Sequence, residues 1–174
     1  MHELALNEDV YERFVRSEIP SAERFLWIAT ADLKDLHVEG SRGRFIPFVS
    51  VLADLVRKGV EVRLVHAKEP GPRFRKDFDA YPELYESERF EQVLCPRMHM
   101  KCVIIDGKLA YVGSANLTGA GIGAKSPTRR NFEAGFITDE AESIGPLMEF
   151  YDALWLGEHC GKCQRRDVCP DPIT

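Results

Sequence analysis

A histidine and a lysine two residues apart open the segment that most constrains how this chain folds. Residues 99–105 are rich in apolar and β-branched side chains, which predicts a strand. The Asp-Gly pair at 106–107 is a strong hairpin signal, and residues 109–112 predict the returning strand. Because alternate residues of a strand share a face, we expect His99 and Lys101 to point the same way.

A second group of polar residues follows this hairpin. The chain reads Gly-Ser-Ala-Asn over 113–116, so the returning strand should bring Ser114 and Asn116 beside His99. A phosphate there would meet an imidazole, an ammonium group, a hydroxyl and an amide. The plainer alternative is a core histidine with a surface lysine, but four such groups in register favour the phosphate site. We expect Asp106 to cap local backbone groups at the turn rather than to act as an acid.

The pattern His-x-Lys-x4-Asp followed by Gly-Ser-x-Asn resembles the signature of the phospholipase D superfamily. Its single copy is similar to the small bacterial and archaeal endonucleases of that superfamily. A looser resemblance, in the order of strands and helices, covers about residues 24–157. It implies the α/β fold class: a phospholipase D-like α-β-α sandwich with a mixed central sheet and one motif per chain, here followed by a cysteine-rich, metal-binding tail.

The resemblance also implies a role for each residue of the pattern. His99 would attack phosphorus and form a covalent phosphohistidine. Lys101 and Asn116 would hold the non-bridging oxygens, with the Ser114 hydroxyl assisting. Glu133 would accept a hydrogen bond from the other ring nitrogen of His99, although a solvated carboxylate at a strand end is the alternative. This chemistry needs no cofactor.

One histidine cannot easily serve both as nucleophile and as acid to the leaving group. The other histidines, His2, His37, His66 and His159, lack a lysine two residues on, so the chain has no second copy of the motif. The resemblance therefore implies a symmetric homodimer in which two His99 side chains face each other across the two-fold axis. An internal proton donor, His66 at the end of an earlier strand, is the alternative.

The rest of the chain predicts one catalytic domain over residues 1–157 and a tail over 158–174. With 174 residues and 44% hydrophobic content, the chain is long enough to bury a full core. The expected elements outside the hairpin are strands at 25–31, 60–64, 90–94 and 133–137, helices at 45–58 and 144–155, an amphipathic stretch at 8–18 and a short helix within 68–92.

The tail contains the spacing Cys-x2-Cys-x5-Cys at Cys160, Cys163 and Cys169. In a cytosolic chain, such cysteines are more naturally metal ligands than disulfide partners. The spacing, with a proline after the last cysteine, is similar to the carboxy-terminal cysteine cluster of Cas4 and AddB-type nucleases. That resemblance implies a structural four-iron four-sulfur (4Fe-4S) cluster that also takes one distant cysteine.

The distant ligand here would be Cys95, because Cys102 is expected to face the core. Zinc held by the same four thiolates, or with His159 in place of Cys95, is an alternative to the iron-sulfur cluster. A tail without metal is the third possibility. Either metal would be structural rather than catalytic.

Charge and hydropathy restrict the partners of the chain. The net charge of -5 argues against a surface coated in basic groups. A local cluster of Lys125, Arg129 and Arg130 lies between Asn116 and Glu133 and is expected to contact backbone phosphates, although a solvated face is the alternative. The start of the chain does not resemble a signal peptide and no apolar stretch approaches bilayer length, so we expect a cytoplasmic protein without membrane contact.

Three functions fit these features. The first is a metal-independent nuclease that cleaves DNA or RNA through phosphohistidine as a homodimer. The second is a phospholipase D-type lipid phosphodiesterase, which should also show an apolar patch that faces the membrane. The third is a binding module that grips nucleic acid without turnover. The single motif and the cysteine tail favour the nuclease.

Overall fold

A seven-stranded mixed sheet forms the centre of the molecule. The computed structural model describes residues 1–34, 36–40 and 43–173. The strands are β1 (His2–Leu6), β2 (Phe25–Thr30), β3 (His37–Glu39), β4 (Phe45–Pro47), β5 (Glu61–His66), β6 (Phe90–Leu94), β7 (Cys102–Ile105), β8 (Leu109–Gly113) and β9 (Ala134–Thr138). The α-helices are α1 (Phe48–Arg57), α2 (Pro72–Asp79), α3 (Glu83–Glu86) and α4 (Ala141–Trp155).

The order of strands in this sheet is β1-β9-β8-β7-β2-β5-β6, while β3 and β4 pair separately. Strands β2, β5 and β6 are parallel, so their carboxyl ends meet at one edge of the sheet. Strand β7 runs antiparallel to β2, with Cys102 opposite Ala29. The start of β7, the end of β8 and the start of β9 therefore lie at that same edge.

Helices cover both faces of the sheet, which confirms the expected α-β-α sandwich. Alternate residues of β2 face opposite sides because successive strand side chains alternate. Ile28 packs in the core beneath α1, together with Leu52. Ala29 packs in the second core beneath α4, together with Ile144.

Helix α4 is held on the sheet by polar as well as apolar contacts. The fully buried Tyr151 places its hydroxyl 3.1 Å from the Ile28 carbonyl oxygen and 3.0 Å from that of Arg63. The Arg63 guanidinium lies between two indole rings, 5.0 Å from the centroid of Trp27 and 5.1 Å from that of Trp155. It also donates to Asp152 at 2.9 Å. These contacts fix the angle at which α4 leads into the tail.

The structure corrects two predicted element boundaries. The helix expected over 45–58 begins only at Phe48, because Phe45–Pro47 forms β4. Proline restricts the residue before it to extended backbone, and Pro47 itself has φ -59° and ψ 136°. The strand expected over 99–105 is β7, Cys102–Ile105, and residues 99–101 precede it.

The other elements agree more closely with expectation. The hairpin of β7 and β8 forms around the Asp-Gly turn, with Gly107 at φ +67°. The middle segment contains two short helices, α2 and α3, rather than one. The stretch at 8–18 forms a π-helical turn, Val10–Val15, whose apolar side chains are buried. In the described part of the chain, no helix is both long and apolar enough to cross a bilayer.

Candidate active site

His99 and Lys101 lie together at the sheet edge where β2 ends and β7 begins. The His99 side chain is exposed, whereas Lys101 is only 8% exposed. The Lys101 ammonium donates to the His99 carbonyl at 2.6 Å and lies 3.2 Å from Nδ1 and 3.3 Å from Nε2. The carbonyl of Lys101 accepts from the Gly113 N–H at 3.1 Å, which brings the two halves of the motif side by side.

Ser114 and Glu133 form a second pair at this edge. The Ser114 hydroxyl donates to the Glu133 carboxylate and accepts from the Ala134 N–H at 3.1 Å. Asn131 also donates to Glu133, at 3.0 Å. Among the described residues, the His99 ring bonds only to Lys101, so the expected His99–Glu133 hydrogen bond is not formed here.

Gly113 has a steric reason to be glycine. A Cβ at this position would lie 2.7 Å from the Ala134 carbonyl oxygen and would also overlap the Tyr111 hydroxyl. The close approach of β8 and β9 that this glycine permits brings Ser114 within reach of Glu133.

The Asn116 amide has a defined orientation. Its Oδ1 accepts from the backbone N–H groups of Ala31 and Asp32, each at 3.1 Å, in the loop after β2. Because backbone N–H groups only donate, the atom facing them must be the amide oxygen. The Nδ2 group, with its two donors, is therefore directed away from this loop.

Neighbouring residues also attach the segment around Asn116 to the end of β2. The buried Thr30 hydroxyl accepts from the Leu117 N–H at 2.9 Å and donates to the Asp32 carbonyl at 2.9 Å. A Cβ on Gly121 would lie 2.5 Å from the Asn116 carbonyl oxygen. The segment after the Gly-Ser-x-Asn motif is thus tied to the end of β2.

Asp106 has the local role expected from its turn position. Its carboxylate accepts from the backbone N–H groups of Glu23, Arg24 and Phe25 at 2.8–2.9 Å. Burial alone would raise the pKa of this carboxyl, but the three backbone donors outweigh burial and lower the pKa below its ordinary value. Asp106 therefore ties the hairpin turn to the start of β2, at the opposite end of these strands from His99.

Two lysines at the ends of parallel strands were missed by the sequence analysis. Lys34 follows β2 and Lys68 follows β5, and both contact the Asp32 carboxylate, at 2.9 Å and 3.4 Å. Burial would raise the pKa of Asp32, but the two ammonium groups dominate and lower it. Both lysine side chains remain largely exposed, at 60% and 65%. Only the pairing of β2 with β5 brings them together.

The loop between β8 and β9, which was predicted to bind phosphate, exposes two of its three cations and pairs the third. Lys125 and Arg129 are exposed, whereas the Arg130 guanidinium bonds to Glu8 at 3.1 Å and is 19% exposed. His66, the alternative proton donor, is 3% exposed and holds its Nδ1 2.8 Å from the Lys68 carbonyl. Burial lowers the pKa of His66 despite that hydrogen bond. Arg130 and His66 are therefore less accessible to a substrate than Lys125 and Arg129.

The four cysteines predicted as ligands line one cavity of about 330 Å³, which His99 also lines. Cys102, in contrast, is 1% exposed in the core, and burial raises the pKa of its thiol to about 12. Within residues 1–34, 36–40 and 43–173, no three His, Cys, Asp or Glu side chains are grouped to hold a metal ion. The cavity-lining cysteines are Cys95, Cys160, Cys163 and Cys169.

Comparison with known proteins gives one family and several similar folds. Residues 15–155 match the family described as cardiolipin synthase, PLD-like domain. The chain is 27% identical over 115 residues to the cardiolipin synthases of Geobacillus thermodenitrificans and Geobacillus kaustophilus. That alignment takes in 63% of this chain and only 20% of each relative, so the chain spans about one fifth of their length.

Solved structures resemble the fold over most of its length. NucT from Helicobacter pylori has a TM-score of 0.61 at 18% identity, over 87% of this chain and 94% of that one. Nuc from Salmonella typhimurium, a phospholipase D family member, has a TM-score of 0.63 at 16% identity, over 89% and 93%. TrmBL2, an archaeal chromatin protein, has a TM-score of 0.60 at 11% identity, over 88% and 51%.

Proposed function

Since the chain belongs to the phospholipase D-like domain family, we propose that it is a phosphodiesterase that cleaves nucleic acid through a phosphohistidine on His99. One observation carries this proposal. An exposed imidazole lies beside a lysine ammonium, and a fixed asparagine amide is held at the same sheet edge, at the carboxyl ends of parallel strands. Ligands of open α/β sheets bind at such strand ends.

The proposed reaction has two steps. A ring nitrogen of His99 attacks phosphorus as the bond to the leaving oxygen breaks. The leaving oxygen takes a proton from a separate group, here called the second acid. Water then attacks the phosphohistidine, returns a proton to that acid and frees the imidazole. Lys101 and the Nδ2 of Asn116 stabilise the charge on the non-bridging oxygens. The Ser114–Glu133 pair borders the same edge and orients the bound phosphate.

The cations near the site favour a polymeric substrate with many phosphates. Lys34 and Lys68 extend along the strand ends, and Lys125 and Arg129 are exposed in the loop between β8 and β9. Contacts to backbone phosphates from such groups position a nucleic acid without reading its sequence. A solved structure of similar fold, TrmBL2, is described as binding DNA, which supports the same choice.

We propose that the second acid is His99 of another copy of this chain, in a symmetric homodimer. An apolar row that runs across three strands supports this assembly. Leu4, Phe136 and Val112 are in register on β1, β9 and β8 and are 52%, 44% and 40% exposed. Phe132, next to Glu133, is 97% exposed. An interface on this row would lie beside the site, where a second His99 is needed.

The test is turnover by purified protein in excess EDTA. Labelled single-stranded DNA, duplex DNA and RNA are compared with vesicles that contain phosphatidylglycerol. We expect cleavage of at least one polymer, and a loss of about 10³-fold or more in the variant His99→Ala. The control variant His37→Ala removes an exposed histidine ring in β3, outside the motif, and should keep the wild-type rate. Rapid denaturation at alkaline pH should trap a covalent adduct between the protein and the labelled polymer only when His99 is present.

A lipid phosphodiester is the second candidate substrate. The identity to cardiolipin synthases and the exposed apolar row favour it. Turnover of the vesicles without cleavage of any polymer would replace the nuclease proposal by this one. Polymer binding that persists in His99→Ala, with no turnover of any substrate by the wild type, would instead leave a nucleic-acid-binding module.

A further inference from the structure

The feature that the proposed reaction leaves unused is the convergence of four thiols on one cavity. Cys95 directly follows the edge strand β6, whereas the other three cysteines lie beyond α4, at the far end of the chain. They come together because the tail folds back across the sheet edge. All four are free and partly exposed within the fold, and they line a cavity of about 330 Å³.

The tail is held in this position by its own contacts. Strand β6 presents the backbone of Leu94, whose N–H donates to Asp171 at 2.8 Å and whose carbonyl lies 3.8 Å from the Cys169 sulfur. The Arg166 guanidinium donates to the carbonyls of Cys160 at 3.3 Å and Ile173 at 3.5 Å. The cysteines are therefore placed around the cavity by hydrogen bonds that do not depend on anything bound in it.

The walls of the cavity suit a buried inorganic group. Apolar side chains of the second core line it, among them Val65, Met98 and Leu154. An apolar surround with four soft sulfur ligands selects zinc, copper(I) or an iron-sulfur cluster over hard oxygen-binding cations. The cavity is also larger than a single ion requires.

The size of the cavity distinguishes a cluster from one ion. A zinc ion needs its sulfur ligands to converge on one point about 2.3 Å away. The cavity that the four cysteines line has a volume of about 330 Å³, which is far more than one such ion fills. A cubane cluster instead binds each thiolate at a separate iron, so its ligands surround a volume and stay farther apart.

We propose that Cys95, Cys160, Cys163 and Cys169 together ligate one 4Fe-4S cluster, which fastens the tail to the segment that carries His99. Cys95 and His99 line the same cavity, and the chain between them makes a turn closed by the Met98 N–H and the Cys95 carbonyl at 2.8 Å. The cluster is structural: it takes no part in the proposed cleavage, and its presence does not depend on that function.

The first test is the metal content of the full-length protein purified without oxygen. We expect about four irons and four acid-labile sulfides per chain, with the broad visible absorption of a thiolate-bound cluster. One zinc per chain without sulfide would overturn the proposal. A chain that stays free of iron after anaerobic reconstitution with iron and sulfide would also overturn it.

Variants then test the four ligands. Each single change of these cysteines to serine should release most of the iron and sulfide. The control Cys102→Ala, which removes the one cysteine outside the cavity, should retain both. His159→Ala should also retain them, although His159 lines the cavity. Full iron in Cys95→Ser, with loss in His159→Ala, would overturn the assignment of Cys95.

Discussion

The polar side chains at the two ends of β7 have different roles, one proposed to be catalytic and the other structural. At its start, His99, Lys101 and Asn116 form the candidate reaction centre. At its end, Asp106 binds three backbone N–H groups of the segment that leads into β2. The familiar aspartate of the motif is therefore a structural residue in this chain, as its position in the turn predicts.

Replacing Asp106 by asparagine should lower the free energy of unfolding by about 2 kcal/mol at pH 7, because a neutral amide accepts these hydrogen bonds less strongly. Asparagine tolerates the φ of +55° at this position, so the backbone is not a second cause. Since the pKa of Asp106 is lowered in the fold, its contribution is present above the ordinary value of 3.8 and is lost as the pH falls through the folded pKa.

Urea denaturation at several pH values measures both effects. The difference between wild type and Asp106→Asn should shrink as the pH is lowered below 3.8. The exposed control Asp79→Asn should change stability by less than about 0.5 kcal/mol at any pH. A difference that is constant down to pH 2 would contradict the role assigned to the charge.

Replacing Asn116 by aspartate tests the direction of its amide. An aspartate keeps an oxygen toward the N–H groups of Ala31 and Asp32, but it exchanges the Nδ2 donors for a second oxygen. We expect a folded protein with thermal stability near that of the wild type and a cleavage rate at least about 100-fold lower. A rate near that of the wild type would show that Nδ2 does not contact the reacting phosphate.

Individual elements were predictable where one local signal dominates. The β7–β8 hairpin follows from an Asp-Gly turn between two apolar runs, and β9 follows from the apolar run after Glu133. Strand β1 was not predicted, because only Ala5 of its five residues is buried and its partner β9 is distant in sequence. Strand β4 was missed because Phe45 also fits the helical spacing of α1, and Pro47 decides the boundary.

The docking of α4 should depend on one hydroxyl. Tyr151 is fully buried against the Ile28 and Arg63 carbonyls, and burial keeps its pKa well above the usual value. Tyr151→Phe removes the donor but keeps the ring, so we expect the free energy of unfolding to fall by about 1 kcal/mol. Chemical denaturation measures it, with the exposed Tyr85→Phe as control. Equal stability of both variants would contradict the assigned hydrogen bond.

The site as a whole combines residues that the sequence predicts with residues that only the fold brings together. The sequence alone predicts the motif residues His99, Lys101, Ser114 and Asn116, since they flank one hairpin. Lys34 and Lys68 are contributed by distant strand ends, and the bonding of Glu133 to Ser114 depends on the close packing of β8 and β9. No local pattern in the chain carries that information.

The apolar row of Leu4, Val112 and Phe136 should control assembly of the molecule. Phe136→Glu would bring a charge into the proposed interface, so light scattering coupled to gel filtration should show a monomer, with cleavage falling in parallel. The control Tyr85→Glu, at an exposed aromatic residue on α3, should leave both the assembly and the cleavage unchanged. A wild-type monomer that cleaves nucleic acid would rule out the shared site and require another acid.

The contact between the tail and Leu94 also protects the end of the sheet. Strand β6 is the last of the seven, and a bare edge strand is a template for pairing with another chain and for aggregation. The Asp171 carboxylate accepts the hydrogen bond from the Leu94 N–H, which an added strand would otherwise use. It also places a negative charge at the position where that strand would pair. Asp171→Ala should therefore scatter more light than the wild type during incubation at raised protein concentration; equal scattering would show that this edge is guarded by other means.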